Sequence, residues 1–416
     1  MVNRILALRL FEAFSIQRWN DRIRPIELCA MDMHAFKAVL TFIIGKIEED
    51  NGAEIDWNYI IEGIVFGLLN NIALSDIKAQ VVSKIKKEHA EQLNEINKWV
   101  IKQNKILFQN KGEKLEERFE NFLKTNLKPG DSSKKKEDKI LHAAQKISTY
   151  REFLIIKQVN ANFPKIEEIE NQLTGDLSAY HDLEAVNSIE HKKPLYNAIC
   201  LIEQLRYQVR WSQTPRIPHT SVLGHSLYVA LLSFFISNEY GFCKKRIVNN
   251  FYSALFHDIA ESVTRDIISP VKRATTDLPK IVKKIEKDFL DTELYPNLPD
   301  SIVNCIKDFT GDNIEGDDEF EFKDRIIKEG KRVIFENKSG SLREINNYNK
   351  DEYQPIDGTI IKLCDGIAAF IEASRSIEYG ITSKHLFDGF SAIRNQYLSR
   401  ENQFEFDVQE FFLSFD

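Results

Sequence analysis

One pattern occurs twice in this chain, and it constrains the fold more than any other feature. Residues 17–40, QRWNDRIRPIELCAMDMHAFKAVL, align with residues 209–232, VRWSQTPRIPHTSVLGHSLYVALL. Each copy begins with an Arg-Trp pair, Arg18-Trp19 and Arg210-Trp211. Each then places a His at the head of the next apolar stretch, His34 in the first and His225 in the second. Further on, GLLNNIALSDIKAQV (67–81) matches ALFHDIAESVTRDIISPV (254–271), and ILHAAQKISTYREF (140–153) matches IIKLCDGIAAFIEA (360–373). Amphipathic helices look alike by chance, but four elements in one order with similar gaps argue for duplication. Two tandem copies of one unit are therefore expected, over residues 1–185 and 186–416.

The unit is helical. Apolar residues recur at three- and four-residue steps in ILALRLFEAF, LYNAICLIEQLRYQV and HSLYVALLSFFI. Gly and Pro fall mostly between such stretches. The fold class expected is all-α. Two segments break the pattern. Residues 126–139, NLKPGDSSKKKEDK, read as a charged surface loop. Residues 331–346, KRVIFENKSGSLREIN, read as a β-hairpin insertion in the second unit, with RVIFE and SLREI as strands around NKSG.

Charge and cysteine usage narrow the class. With 56 Lys+Arg against 63 Asp+Glu, the chain lacks the basic excess of a nucleic-acid coat, so no nucleic-acid partner is expected. The five cysteines are scattered without a CxxC, which suits reduced thiols. The first twenty residues carry Arg4, Arg9 and Glu12 and do not read as a signal peptide. No apolar run is long enough for a transmembrane helix. A cytoplasmic location without membrane association is expected.

The second unit holds the chemistry. His225 follows Gly224 at a helix start, His257-Asp258 closes the apolar run FYSALF, and Asp365 lies inside IIKLCDGIAAFI. A single His on an apolar face is usually a core residue, and a His-Asp pair is common. The set is more specific. A carboxylate in so apolar a helix needs a cation or strong donors. Two imidazoles and two carboxylates suit one divalent ion such as Mn, Co, Fe, Ni or Zn. Glu261 and Asp266 add acid/base capacity, and Lys272 and Arg216 are candidates for neutralising a phosphate. His219 reads as a loop histidine.

In this order, on helices, H…HD…D resembles the HD superfamily of metal-dependent phosphohydrolases. The closer resemblance is to the bacterial 5′-deoxynucleotidase group. It rests on Arg210-Trp211, His225-Ser226, His257-Asp258-Ile259-Ala260-Glu261, Asp266, Pro270-Val271-Lys272, and Asp365 with Lys362 and Glu372 around it. It covers about 195–275 and 357–380.

The resemblance implies that His225, His257, Asp258 and Asp365 bind the ion, which activates a water for attack on phosphorus. Glu261 would orient or deprotonate that water, and Asp266 would protonate the leaving 5′-oxygen; these two roles are exchangeable. Arg210 would hold phosphate or sugar oxygens, and Trp211 would pack on the sugar and exclude a 2′-hydroxyl. A nucleotide is the substrate implied, and the related enzymes associate, so a homodimer is compatible. Arg265 departs from the group, which has Gly there.

The first copy lacks this set. His34 is the expected counterpart of His225, Asn70-Asn71 of His257-Asp258, Leu74 of Glu261 and Gln145 of Asp365. Neutral amides are poor ligands for a divalent ion, so residues 1–185 read as a degenerate HD-like domain without metal. A pocket that keeps a regulatory nucleotide is the alternative. For the whole chain, an HD-type phosphodiesterase, a polyphosphate-nucleotide hydrolase and a catalytically silent sensor or scaffold remain as other readings.

Overall fold

The computed structural model describes residues 2–75, 77, 79–109, 114–125, 135–192, 194–265, 267, 275–314, 320–336, 343–399, 404 and 407–416. Two helices, Ala30–Asp50 and Val222–Glu239, pack against each other at its centre. Both are buried along almost their whole length. Sequence dictates this: a helix with apolar residues on every side has no face to offer water and must lie inside.

Matching neighbours flank each central helix. Trp57–Leu74 and Lys136–Asn160 pack on the first; Lys244–Phe256 and Gly358–Glu378 pack on the second. Each central helix is entered through an antiparallel bridge, Gln17 with Cys29 and Val209 with Ser221. Ser221 caps the second helix by accepting from the Gly224 N–H at 2.8 Å, and its hydroxyl donates to Asp32 Oδ1 of the first helix at 2.5 Å. Gly224 permits that approach, since a Cβ there would come within 2.6 Å of Asp32 Oδ1 and 2.7 Å of Phe14 Cε1.

The two stretches read as separate units share one core. Their buried apolar side chains form a continuous cluster. Phe42 of the first central helix lies 4.7 Å from the Tyr252 ring and 5.1 Å from Phe256. A buried ion pair, Arg206 to Glu152 at 2.9 Å, also crosses the expected boundary. Among the described residues no helix is long and apolar enough to cross a membrane. All five cysteines are free.

The fold is all-α with a small β insertion, as expected, but the strands differ from the sequence reading. Strand β1 (Asp324–Lys328) pairs antiparallel with β2 (Lys331–Phe335), and β1 also pairs with β3 (Ile356–Asp357). RVIF is thus the second strand of the hairpin. The turn is Glu329-Gly330, with φ of 52° and 74°, the left-handed pair that a two-residue hairpin turn requires. NKSG lies outside the described residues, and the region of SLREI that is described leads into a 3-10 turn, Glu344–Tyr348. The charged segment 126–139 also differs at its end. Residues 126–134 lie outside the described residues, while a helix already runs from Lys136.

Candidate functional site

Two helix termini, the turn that follows one of them, and one helix interior build the site. His225 stands in the first turn of Val222–Glu239. His257 is the C-cap of Lys244–Phe256, and Asp258 follows it into a turn. Asp365 sits two turns into Gly358–Glu378. The ligand atoms of His225, His257 and Asp258 lie within 4.8 Å of one another. Asp365 stands at the edge of that group, its Oδ1 3.1 Å from His225 Nε2. His257 Nε2 is 3.2 Å from Asp258 Oδ2. The structure therefore groups three of the four residues expected to hold a metal, and sets Asp365 against one of them, His225.

The donor set fits a divalent ion in a second respect. His225 Nδ1 bonds Glu372 Oε1 at 3.0 Å, and His257 Nδ1 bonds the Ala254 carbonyl at 2.8 Å. An acceptor on Nδ1 places the proton there and leaves Nε2 as the ligating lone pair, turned toward the carboxylates.

Glu372 is the residue that sequence reasoning undervalued. It is fully buried and gathers His225, the Trp211 indole N–H at 2.9 Å, Arg210 Nε at 3.3 Å and Arg216 Nη1 at 3.7 Å. A signal was available: Glu372 follows Asp365 by two helical turns and so shares its face. Burial pushes the Glu372 carboxyl up, but Arg210, His225 and Arg216 outweigh that and hold it well below the usual carboxylate range. Asp365 behaves alike: burial is overcome by the His225 bond and by the charges of Lys362, His225 and His257. Burial lowers His257. His225 is pushed down by burial and by Arg210, yet Glu372 and Asp365 hold it above its usual value.

The remaining expected residues fall into three groups. Arg210 borders the site, its Nη1 3.8 Å from Asp258 Oδ2. Burial disfavours its charge, but Glu372, Asp258, Asp365 and Glu261 more than restore it. Glu261 is buried at the start of the short helix Glu261–Thr264, just beyond the His-Asp pair. Asp266 and Lys272 lie outside the described residues.

Arg216 and Trp211 are placed differently from expectation. Arg216 is 3% exposed, bonds Thr220 Oγ1 and faces Glu372, so its charge balances a buried carboxylate and is not presented to a phosphate. Burial lowers its guanidinium to about 10. The Trp211 ring is pinned: its N–H is on Glu372, and its far edge lies 2.8 Å from where a Gly389 Cβ would stand. His219 pairs with Glu27 at 3.3 Å on the surface. Arg265, where the resembled group has Gly, adopts φ 65° and ψ 160°, a conformation that suits Gly.

The first half holds a similar brace. Arg18 Nε donates to Glu152 at 2.9 Å, and the Trp19 N–H donates to the same carboxylate at 3.0 Å. Trp19 and Trp211 share a left-handed backbone, with φ of 54° and 58°. Counted from the bridge residues Cys29 and Ser221, the position of His225 is taken by Met33, and His34 falls one residue later. The contact agrees. Gln145 Nε2 lies 3.0 Å from Met33 Sδ, as Asp365 lies beside His225. By position and contact, Met33 rather than His34 occupies the place in the first half that His225 has in the second.

Residues 202–394 match the family model described as HD domain. No curated protein and no solved structure matches the chain. The matched segment contains His225, His257, Asp258, Asp365 and Glu372. It supports an HD-type, metal-dependent phosphohydrolase.

Proposed function

We propose that residues 186–416 remove phosphate from deoxynucleotides, in the manner of the 5′-deoxynucleotidase group whose motif order they share. The observation that carries the reading is the convergence of His225, His257 and Asp258, with Asp365 against His225 and Glu372 behind that ring. A divalent ion in this set supplies Lewis acidity toward a phosphoryl oxygen and lowers the pKa of water.

The chain's own groups supply the rest. Glu372 fixes the His225 ring and fixes Arg210 against the site. Arg210 is the cation facing Asp258 and is assigned to phosphate or sugar oxygens. Glu261 is assigned the proton of the attacking water, and Asp266 the proton given to the leaving 5′-oxygen. Trp211 has no freedom to swing onto a sugar, so it discriminates against a 2′-hydroxyl only as a fixed wall.

We also infer that residues 1–185 are a second copy of this unit that has lost its metal ligands. The paired bridges, the two left-handed tryptophans and the Glu152 and Glu372 braces support this. Met33, Asn70, Asn71 and Gln145 stand where the ligands would be.

The test is phosphate release by metal-stripped protein resupplied with Mn or Co, over a panel of ribo- and deoxynucleoside mono- and triphosphates. Metal-dependent release from deoxynucleotides is expected, and Asp258→Ala should abolish it. Equal rates on ribonucleotides would remove Trp211 from substrate choice. No release from any member would overturn the deoxynucleotide assignment in favour of another phosphoester or a sensing role.

A further inference from the structure

Outside the site just described, the most unusual cluster lies in the first half. Lys37 is 8% exposed and His34 3% exposed, one turn apart on Ala30–Asp50. Neither side chain has a hydrogen-bond or ion-pair partner among the described residues, and the buried His34 Nδ1 is orphaned. Both border Gly67 on the neighbouring helix Trp57–Leu74: a Cβ there would lie 3.7 Å from His34 Cε1 and 3.7 Å from Lys37 Nζ. Asn70 and Asn71 follow Gly67 by three and four residues, on the same face of that helix. Their buried Oδ1 atoms also lack partners.

A buried ammonium without a carboxylate is costly, and so is each orphaned polar atom. Burial first, and then the charges of Lys37 and of Arg18, itself paired with Glu152, hold the His34 imidazole well below its usual value and so neutral. Burial alone brings the Lys37 amine down to about 8. An amine without a carboxylate, a neutral imidazole and unmet acceptors together suit a ligand that is anionic and also carries donors. These are the two helices whose second-half counterparts carry His225 and His257-Asp258.

We propose that His34, Lys37, Asn70 and Asn71 form a metal-independent binding site for a phosphorylated ligand. The phosphate meets Lys37 and His34, and hydroxyl or amino groups of the ligand meet the two asparagine oxygens. Where the catalytic half is charged by a bound ion, this half carries its positive charge on side chains. The site would thus let the chain sense a phosphate-bearing molecule apart from the one it hydrolyses.

Calorimetric titration of the full, metal-stripped chain with inorganic phosphate and, separately, with a deoxynucleoside monophosphate tests this. Binding of at least one of them is expected, weakened tenfold or more in Lys37→Met, with metal-dependent phosphate release by that variant retained. Tighter binding of the nucleotide than of phosphate would identify a nucleotide as the source. Lys37→Met removes an unpaired buried charge and is expected to melt no lower than the parent in the absence of ligand. Gly67→Leu, which fills the space between the helices, is the second variant and should weaken binding similarly. Equal affinity in the parent and both variants, or no binding of either probe to the parent, would overturn the proposal.

Discussion

Glu372 carries one charge and answers three hydrogen-bonding groups, an imidazole, an indole and a guanidinium, with a second guanidinium, Arg216, facing it at 3.7 Å. In the first half Glu152 holds the equivalent place, with Arg18, Trp19 and Arg206 around it. Replacing either by its neutral isostere strands buried cations, so Glu372→Gln and Glu152→Gln are each expected to cost about 3–5 kcal/mol in urea unfolding. Only Glu372 also bonds a histidine proposed as a metal ligand. Glu372→Gln should therefore lower metal affinity by roughly 10–100-fold, while Glu152→Gln leaves it unchanged. Equal affinities in the two variants would reduce Glu372 to a structural brace. The importance of this residue was half legible: its spacing from Asp365 puts both on one helical face, but nothing local to position 372 names its partners.

The β insertion acts as an anchor at the scale of elements. Asp357 ends β3, directly before the helix that carries Asp365. Its carboxylate accepts from Arg246 at 2.7 and 2.5 Å, from Arg343 at 2.7 Å and from Asn250 at 2.7 Å. The insertion is thereby locked to Lys244–Phe256, the helix that ends at His257. Burial pushes the Asp357 carboxyl up, but Arg246 and Arg343 hold it well below the usual carboxylate range. A depressed carboxyl contributes stability that is fully present above its unfolded value of about 4 and lost as pH falls through the folded value. Asp357→Asn should cost about 3–5 kcal/mol at neutral pH. Urea unfolding at several pH values should show that gap narrowing below about pH 4. A gap independent of pH would mean that the carboxylate charge is not what holds the insertion.

Taken whole, the molecule has one core and two pseudo-equivalent frames. Phe42 stands at the junction, against Tyr252, Phe256 and Phe309. Because the apolar cluster is continuous, a single cooperative unfolding transition is expected, with calorimetric and van't Hoff enthalpies equal. Phe42→Ala should destabilise that one transition by about 3–5 kcal/mol. A variant that melts in two steps would show that the halves are energetically separate. Sharing a core also gives the first half a structural role: its central helix packs against the central helix of the second.

Sequence alone determined the helical class and the chemical candidates, because both are encoded at short range. Apolar steps of three and four residues fix a helix wherever they occur, and His225, His257, Asp258 and Asp365 are recognisable by residue type and order. Tertiary structure decided where the charges go. Glu372 lies 147 residues from His225, and Arg216 meets that same carboxylate. The register of the first half, which sets Met33 rather than His34 opposite Gln145, is fixed by a backbone bridge that no periodicity reveals. The hairpin shows the same division: RVIF was legible as a strand, but its partner was chosen by the Glu329-Gly330 turn. Local rules choose the element. The partner of a buried charge is chosen by desolvation, which acts only once distant segments have packed.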